Sequence, residues 1–253
     1  MYKLGGMSIT ANEPYSVVVS LTSWRGRIFS EIVQLVLFSL LKQKTKYRYK
    51  VVLVLSTDEF PKKEAELPAN IVKMAEKVEN MEILWDVGNT KAYKKYFPVQ
   101  RKYPDIPIIT IDDDSPAHED FVEKMMELHN KDTKRVIYGY HMVPHNLGGI
   151  DCVRYGVALY PPKSLFPLDE HFGRKFFKDM DDEYMRLLHV LAGTQYFEIK
   201  ASDVICIQAG AQDVAMQRIM ANQWGEIRGM WEILFAAMPE LKKLWDKNVV
   251  KKN

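Results

Sequence analysis

Apolar, β-branched stretches recur along the chain with turn residues after each of them: Ser16–Leu21, Lys50–Leu55, Met81–Trp85, Pro107–Ile111, Arg135–Tyr138, Val157–Tyr160 and Val204–Ile207. Short apolar runs bounded by turn signals read as strands. Between the first two, Ser30 can cap a helix that runs to Leu41 and is apolar nearly all round, as a crossover helix sandwiched inside an α/β fold would be. A second helical pattern covers Phe121–Asn130, with Phe121, Val122, Met125 and Leu128 along one face. The order strand, helix, strand predicts a βαβ start and a Rossmann-like α/β fold with a mixed, mostly parallel sheet flanked by helices.

Further along, Tyr184, Leu187, Leu188 and Leu191 follow helical spacing from a start at Asp181 or Asp182, and Gly193 can close that helix. From Ala211 the pattern turns helical and rich in Met and Trp, breaks at Pro239 and ends in the basic KKLWDKNVVKKN. Two units are expected: an α/β domain over 1–208 and a helical extension over 209–253, packed on it or appended to it. Trp224, Trp231 and Trp245 are expected to be helix-packing residues.

Charge narrows the range of partners. Thirty-five Lys and Arg against thirty-three Asp and Glu leave a formal net charge of +2, which gives no case for a nucleic-acid-binding surface. Cys152 and Cys206 stand far apart, outside any CxxC pair, so neither a disulfide framework nor a thiolate zinc site is expected. The opening MYKLGGMSITANEP lacks a signal pattern, and Ile32–Leu41 is too short to span a bilayer, which predicts a cytoplasmic location. The basic C-terminal end leaves room for peripheral contact with the inner face of a membrane. Oligomeric state is open.

The segment with most chemistry in it is PDIPIITIDDDSPAHEDF, a strand running straight into Asp112, Asp113 and Asp114. In open α/β sheets ligands bind beyond the carboxyl ends of strands, and alternate residues leaving a strand point the same way. Asp112 and Asp114 can therefore converge on one hard cation, Mn²⁺ or Mg²⁺, with open positions for phosphate oxygens. The plainer alternative is a polar turn with one aspartate capping the next helix. His141 and His145 bracket Pro144 and cannot form a helical zinc pair; His145 or His189 could complete a metal shell, but the assignment rests on the aspartates.

Taken with VVVSLTSWRGRI, LLKQKTKYRYKVVLVLSTDEFPKKEAELP, EILWDVGNTKAYKKYFPVQRKYPDIPIITIDDDS, YGVALYPPKSLFP and DMDDEYMRLLHVLAG, in that order, the chain resembles a bacterial family of GT-A glycosyltransferases associated with lipopolysaccharide, capsule and other surface glycans. The resemblance implies a metal-dependent enzyme that moves a sugar from a nucleotide diphosphate donor, a UDP-sugar by analogy, to a glycan or lipid-linked acceptor, with inversion. It implies Thr22 and Arg27 beside the nucleotide, with Arg25 as a neighbour, and Lys91 and Lys95 near the donor phosphates. Asp113 would touch ribose or donor sugar. The acids at DMDDEYM would include the base that deprotonates the acceptor hydroxyl, Asp182 ahead of Asp181.

Each of these sites has a plainer counterpart: an exposed basic loop at Arg25 and Arg27, a solvated lysine face at Lys91 and Lys95, and helix-start carboxylates at Asp181 and Asp182 that merely suit the dipole. The family's Gly-Gly pair is displaced here to Gly148-Gly149, upstream of DCVRYGVALYPP. Two other functions fit part of the pattern. A sugar nucleotidyltransferase would need a glycine-rich phosphate loop, whereas SLTSWRGRI holds one glycine; a non-catalytic sugar-nucleotide or glycan-binding protein would keep the fold without turnover.

Overall fold

A computed structural model describes residues 15–140, 145–146, 151–152, 155–206 and 224–249. The first three strands, β1 (Val17–Thr22), β2 (Tyr49–Ser56) and β3 (Met81–Asp86), are joined through helices α1 (Glu31–Leu41) and α2 (Ala69–Lys77) and pair in parallel. The chain then passes through a 3-10 helix, Lys91–Lys95, and α3 (Phe97–Lys102) and returns to the other side of β1 as β4 (Ile108–Ile111), again parallel. After α4 (Phe121–Lys131) come β5 (Val136–Tyr140), the short pair β6 (His145–Asn146) and β7 (Asp151–Cys152), and β8 (Tyr155–Tyr160). Helices α5 (Glu170–Phe177) and α6 (Asp181–Leu191) lead to β9 (Tyr196–Lys200), and α7 (Trp224–Ala237) and α8 (Pro239–Val249) follow.

The seven-stranded sheet has the order β3-β2-β1-β4-β8-β5-β9, with β8 antiparallel to both neighbours and the remaining pairings parallel. This is the mixed, mostly parallel, Rossmann-like sheet that the pattern predicts. Strands covered on both faces read as continuous apolar runs, and β1 shows why. Val17, Val19 and Leu21 face one core with Val33, Val36, Leu37 and Leu40 of α1, while Val18 faces the other with Tyr93, Phe97 and Tyr184. The chain winds outward from β1 through β2 and β3, then restarts on the opposite side with β4. The gap between the carboxyl ends of β1 and β4 is therefore the switch point at which open sheets of this kind form a crevice.

Three expectations need correction. Helix α1 covers the sheet from one side only, so Leu35 and Phe38 lie 45% and 53% exposed and the helix is not sandwiched. Ser30 holds the N-cap position with extended backbone, but its hydroxyl makes no capping bond. The run Val204–Ile207 is no strand: Val204 and Ile205 are buried, yet they follow a 3-10 turn over Ala201–Asp203, and Ile205 makes a single bridge to Ala117. Position 207 lies outside the described residues. The sheet edge is instead β9, whose residues are half-buried or exposed and so carry little hydrophobic signal.

Helices α7 and α8 bury Trp231, Leu241 and Trp245 in the same core as β1, α3 and α6. The 208/209 boundary and Ala211 lie outside the described residues, as does the Trp224 side chain. No described helix is long and apolar enough to cross a membrane.

Candidate active site

The switch point holds a cluster of charge. Strand β1 ends at Thr22, whose hydroxyl donates to the Val54 carbonyl of β2 at 2.7 Å and so closes the sheet end. In the turn that follows, the Ser23 hydroxyl donates to Asp113 Oδ2 at 2.5 Å. Arg27 Nη1 lies 2.5 Å from Asp113 Oδ1 and 3.1 Å from Asp114 Oδ2. Gly26, just before Arg27, has the Trp24 ring packed over it: a Cβ there would meet Trp24 Cζ3 at 2.1 Å, so a larger residue would have to displace that ring.

Beyond Ile111 the pleat does not continue. Asp112 N–H still bonds the Gly156 carbonyl of β8 at 3.2 Å, but Ser115 N–H turns back to Asp112 O at 3.4 Å, and the aspartates sit in a turn. Alternation therefore stops deciding where they point. Asp113 is 6% exposed with both oxygens engaged, while Asp112 and Asp114 keep access to solvent. The polar-turn reading holds in this respect, although the residue at the N-cap of α4 is Asp120. Asp113 is placed differently from expectation: it is sealed beneath Ser23 and Arg27 and has no face left for ribose or sugar. Burial pushes its carboxyl up to about 6, against the pull of Arg27 and the Ser23 hydroxyl. Burial alone would lower the Arg27 pKa; Asp113 and then Asp114 more than reverse this and raise it.

Lys95 joins the cluster from the other side. Its Nζ lies 3.0 Å from Asp112 Oδ1 and 3.1 Å from Asp181 Oδ2 at the start of α6, with 12% of the side chain exposed. Burial alone would depress this ammonium; Asp112, then Asp181 and Asp182, hold it well above its ordinary value. Lys91 does not share its face. The segment is a 3-10 helix, and Lys91 begins it with φ 58°; Lys91 is exposed and Lys95 half-buried. The neighbour Lys94 is almost wholly buried, bonded to Asn89 Oδ1 at 2.9 Å and Glu59 Oε2 at 3.3 Å; burial lowers its pKa, with Glu59 opposing.

The acids of DMDDE disperse. Asp179 approaches Arg174 at 3.8 Å, Asp181 binds Lys95, and Glu183 accepts from Trp231 Nε1 at 2.9 Å. Asp182, partly exposed in the first turn of α6, acts electrostatically on both Lys95 and the buried Tyr160 hydroxyl. Arg25 lies on the surface, where Nη2 pairs with Glu66 Oε1 at 2.7 Å, Nε donates to the Glu59 carbonyl at 2.8 Å and the guanidinium covers the Phe60 ring.

Of the residues picked out by sequence, Arg27 with Asp113 and Asp114, and Lys95 with Asp112 and Asp181, form two ion-paired groups that adjoin through the Asp112–Asp114 turn. Thr22, Arg25 and Lys91 make their hydrogen bonds elsewhere among the described residues. Sequence reasoning passed over Ser23, Glu59, Asn89 and Lys94. The rule that ligands gather at strand ends could have found Glu59, three residues beyond the buried run of β2, but nothing in KAYKK distinguishes Lys94 from Lys91.

Asp112 and Asp114 suit a hard cation in donor type and solvent access. Among the described residues no three His, Cys, Asp or Glu side chains are grouped to hold a metal, so the remaining positions would fall to water or substrate. His189 is not near such a shell: its Nδ1 lies 2.7 Å from the Tyr138 hydroxyl, and burial together with Arg186 lowers its pKa to about 3. The side chain of His145 lies outside the described residues, as do His141, Gly148 and Gly149.

No protein-family model matches the chain, and no curated protein matches it. Among solved structures it is similar to S. aureus TarS 1-349, with a TM-score of 0.47 and 11% identity over 75% of this chain. The same values describe its similarity to that protein in complex with UDP. The chain spans 59% of the length of either one. It is also similar to a 4-diphosphocytidyl-2C-methyl-D-erythritol synthase from Anaerococcus prevotii, with a TM-score of 0.44 and 12% identity over 74% of this chain and 87% of that one.

Proposed function

We propose that the chain is a GT-A-type glycosyltransferase that moves a sugar from a nucleoside diphosphate donor, UDP in the first instance, to a glycan or lipid-linked acceptor. The observation that carries this reading is the pairing of Asp112 and Asp181 through one ammonium at the switch point of the sheet. Asp112 belongs to the strand end where the donor diphosphate would lie, and Asp181 to the helix start that would face the acceptor. A site for group transfer needs both halves within reach of one reacting atom.

In this reading Asp112 and Asp114 hold Mn²⁺ or Mg²⁺. A divalent ion there supplies Lewis-acid stabilisation of the departing nucleoside diphosphate. Arg27 and Lys95 add fixed N–H donors that favour the same negative charge. Asp113 positions Arg27 and does not meet the sugar. Asp182 is the better base, because it keeps partial access to solvent whereas Asp181 is buried. A carboxylate in the first turn of a helix is held ionised by the backbone dipole, ready to accept the acceptor's hydroxyl proton. Thr22, Arg25 and Lys91 would line the approach of the nucleotide. The basic end of the chain suits a lipid-linked acceptor at the inner face of a membrane.

A thermal-shift screen of UDP, GDP, CMP and their sugars with Mn²⁺, followed by product analysis, tests the reading. Release of nucleoside diphosphate that depends on Mn²⁺ is expected. Release of pyrophosphate would make the chain a nucleotidyltransferase, and a melting shift without any turnover would make it a binding protein.

A further inference from the structure

Five carboxylates, Asp112, Asp113, Asp114, Asp181 and Asp182, meet at the switch point, and two cations, Arg27 and Lys95, run among them. The two cations are arranged differently. Arg27 ties Asp113 to Asp114, two neighbours in one turn, and belongs to a single loop pair. Lys95 ties Asp112 of the β4 turn to Asp181 of α6, so its ammonium stands between what the proposed function treats as the donor half and the base half. A lysine ammonium is a compact point charge on a flexible stem, able to exchange one anionic partner for another.

We propose that Lys95 is a resident counter-cation that couples donor binding to release of Asp181 beside the proposed base, an inference that rests on the reading of Asp112 and Asp114 as metal ligands. While Lys95 occupies Asp112 Oδ1, a divalent ion that uses this carboxylate must compete with a positive charge 3.0 Å from it. A donor diphosphate offers the ammonium a new anionic partner. Transfer of Lys95 from Asp112 and Asp181 to phosphate oxygen would open Asp112 to the ion and free Asp181 beside Asp182 in one movement. Metal and nucleotide would then enter together, and Asp181, the neighbour of the proposed base Asp182, would stay neutralised by Lys95 until a donor is in place. No bond forms or breaks in this exchange; only the partners of one ammonium change.

Titration of Mn²⁺ followed by electron paramagnetic resonance, with and without UDP and with GDP and CDP in parallel, tests this in the whole chain. Lys95→Gln is expected to bind Mn²⁺ alone at least tenfold more tightly than wild type and to bind the nucleotide alone at least fivefold more weakly. The factor by which nucleotide improves Mn²⁺ affinity should shrink accordingly. Lys95→Arg, which retains the charge, should still exclude Mn²⁺ alone, and circular dichroism of each variant reports folding. Opposite signs for metal and nucleotide are the signature, because a purely structural ion pair would weaken both. An unchanged affinity for Mn²⁺ alone in Lys95→Gln, with Mn²⁺ still binding in the presence of nucleotide, would overturn the role of Lys95 and leave the metal site standing. Absence of Mn²⁺ binding in every variant, with or without nucleotide, would overturn both.

Discussion

Arg27 meets Asp113 with one nitrogen and Asp114 with the same nitrogen, and its side chain is only 10% exposed. Removing one member of a buried pair strands the other charge, so Arg27→Met should cost about 3–5 kcal/mol in urea denaturation. Arg27→Lys, which keeps the charge, should recover part of that loss. A loss below ~1 kcal/mol in Arg27→Met would mean that Asp113 finds another partner or takes up a proton. Asp114→Asn asks a different question, because Asp114 keeps access to solvent. Its melting temperature should stay close to wild type while Mn²⁺-stimulated donor turnover falls by roughly 100-fold or more; wild-type turnover would remove Asp114 from the metal site. At this scale the sequence made the acidic run legible, since three adjacent aspartates demand counter-charge. It gave no means of telling which cation answers which aspartate, because that pairing is made across 86 positions for Arg27 and Asp113 and 17 for Lys95 and Asp112.

Elements were legible where their periodicity was strong. Helix α6 was readable from Tyr184, Leu187 and Leu188, all buried, and from Gly193, which takes φ 68° at its end. The same helix carries His189, which the fold keeps neutral. Its pKa is depressed to about 3 from an unfolded value near 6.5, so the unfolded chain binds the extra proton first. The stability associated with His189 is complete above about pH 6.5 and is lost as pH falls toward 3. Urea midpoints measured at pH 7, 5.5 and 4.5 should therefore fall less steeply for His189→Phe than for wild type, and an equal slope would show that the imidazole is already solvated in the fold. The segment Lys91–Lys95 was harder to read. Four-residue spacing predicts one face only if the turn is α, and the 3-10 turn here separates Lys91 from Lys95. Strand β9 was missed because its residues alternate weakly between half-buried and exposed.

Across the whole molecule, the C-terminal helices share one of the two cores with the sheet and α6. Trp231 and Trp245 lie 4.4 Å apart between ring centroids, Trp231 Nε1 bonds Glu183 of α6, and Arg186 lies over the Trp245 ring at 4.2 Å. The hairpin of α7 and α8 thus grips the helix that begins with Asp181 and Asp182. Trp231→Ala should cost about 3–5 kcal/mol, measured by chemical denaturation. Truncation to 1–208 should give a chain with a broadened unfolding transition and exposed apolar surface detectable by dye binding. A truncated chain that melts as sharply as the full one would show that residues 209–253 are an appendage.

Local pattern alone determined that this chain is α/β, that its first strands are parallel, and that acids cluster after β4 and before α6, because burial on both faces and helical spacing are written in neighbouring residues. The tertiary structure alone decided that those two acidic clusters share one ammonium, that Asp113 is sealed, and that Lys94 is inside while Lys91 is out. Each of these depends on which strand the chain returns to after β3. That choice is set by packing of the whole sheet, not by any short stretch of residues.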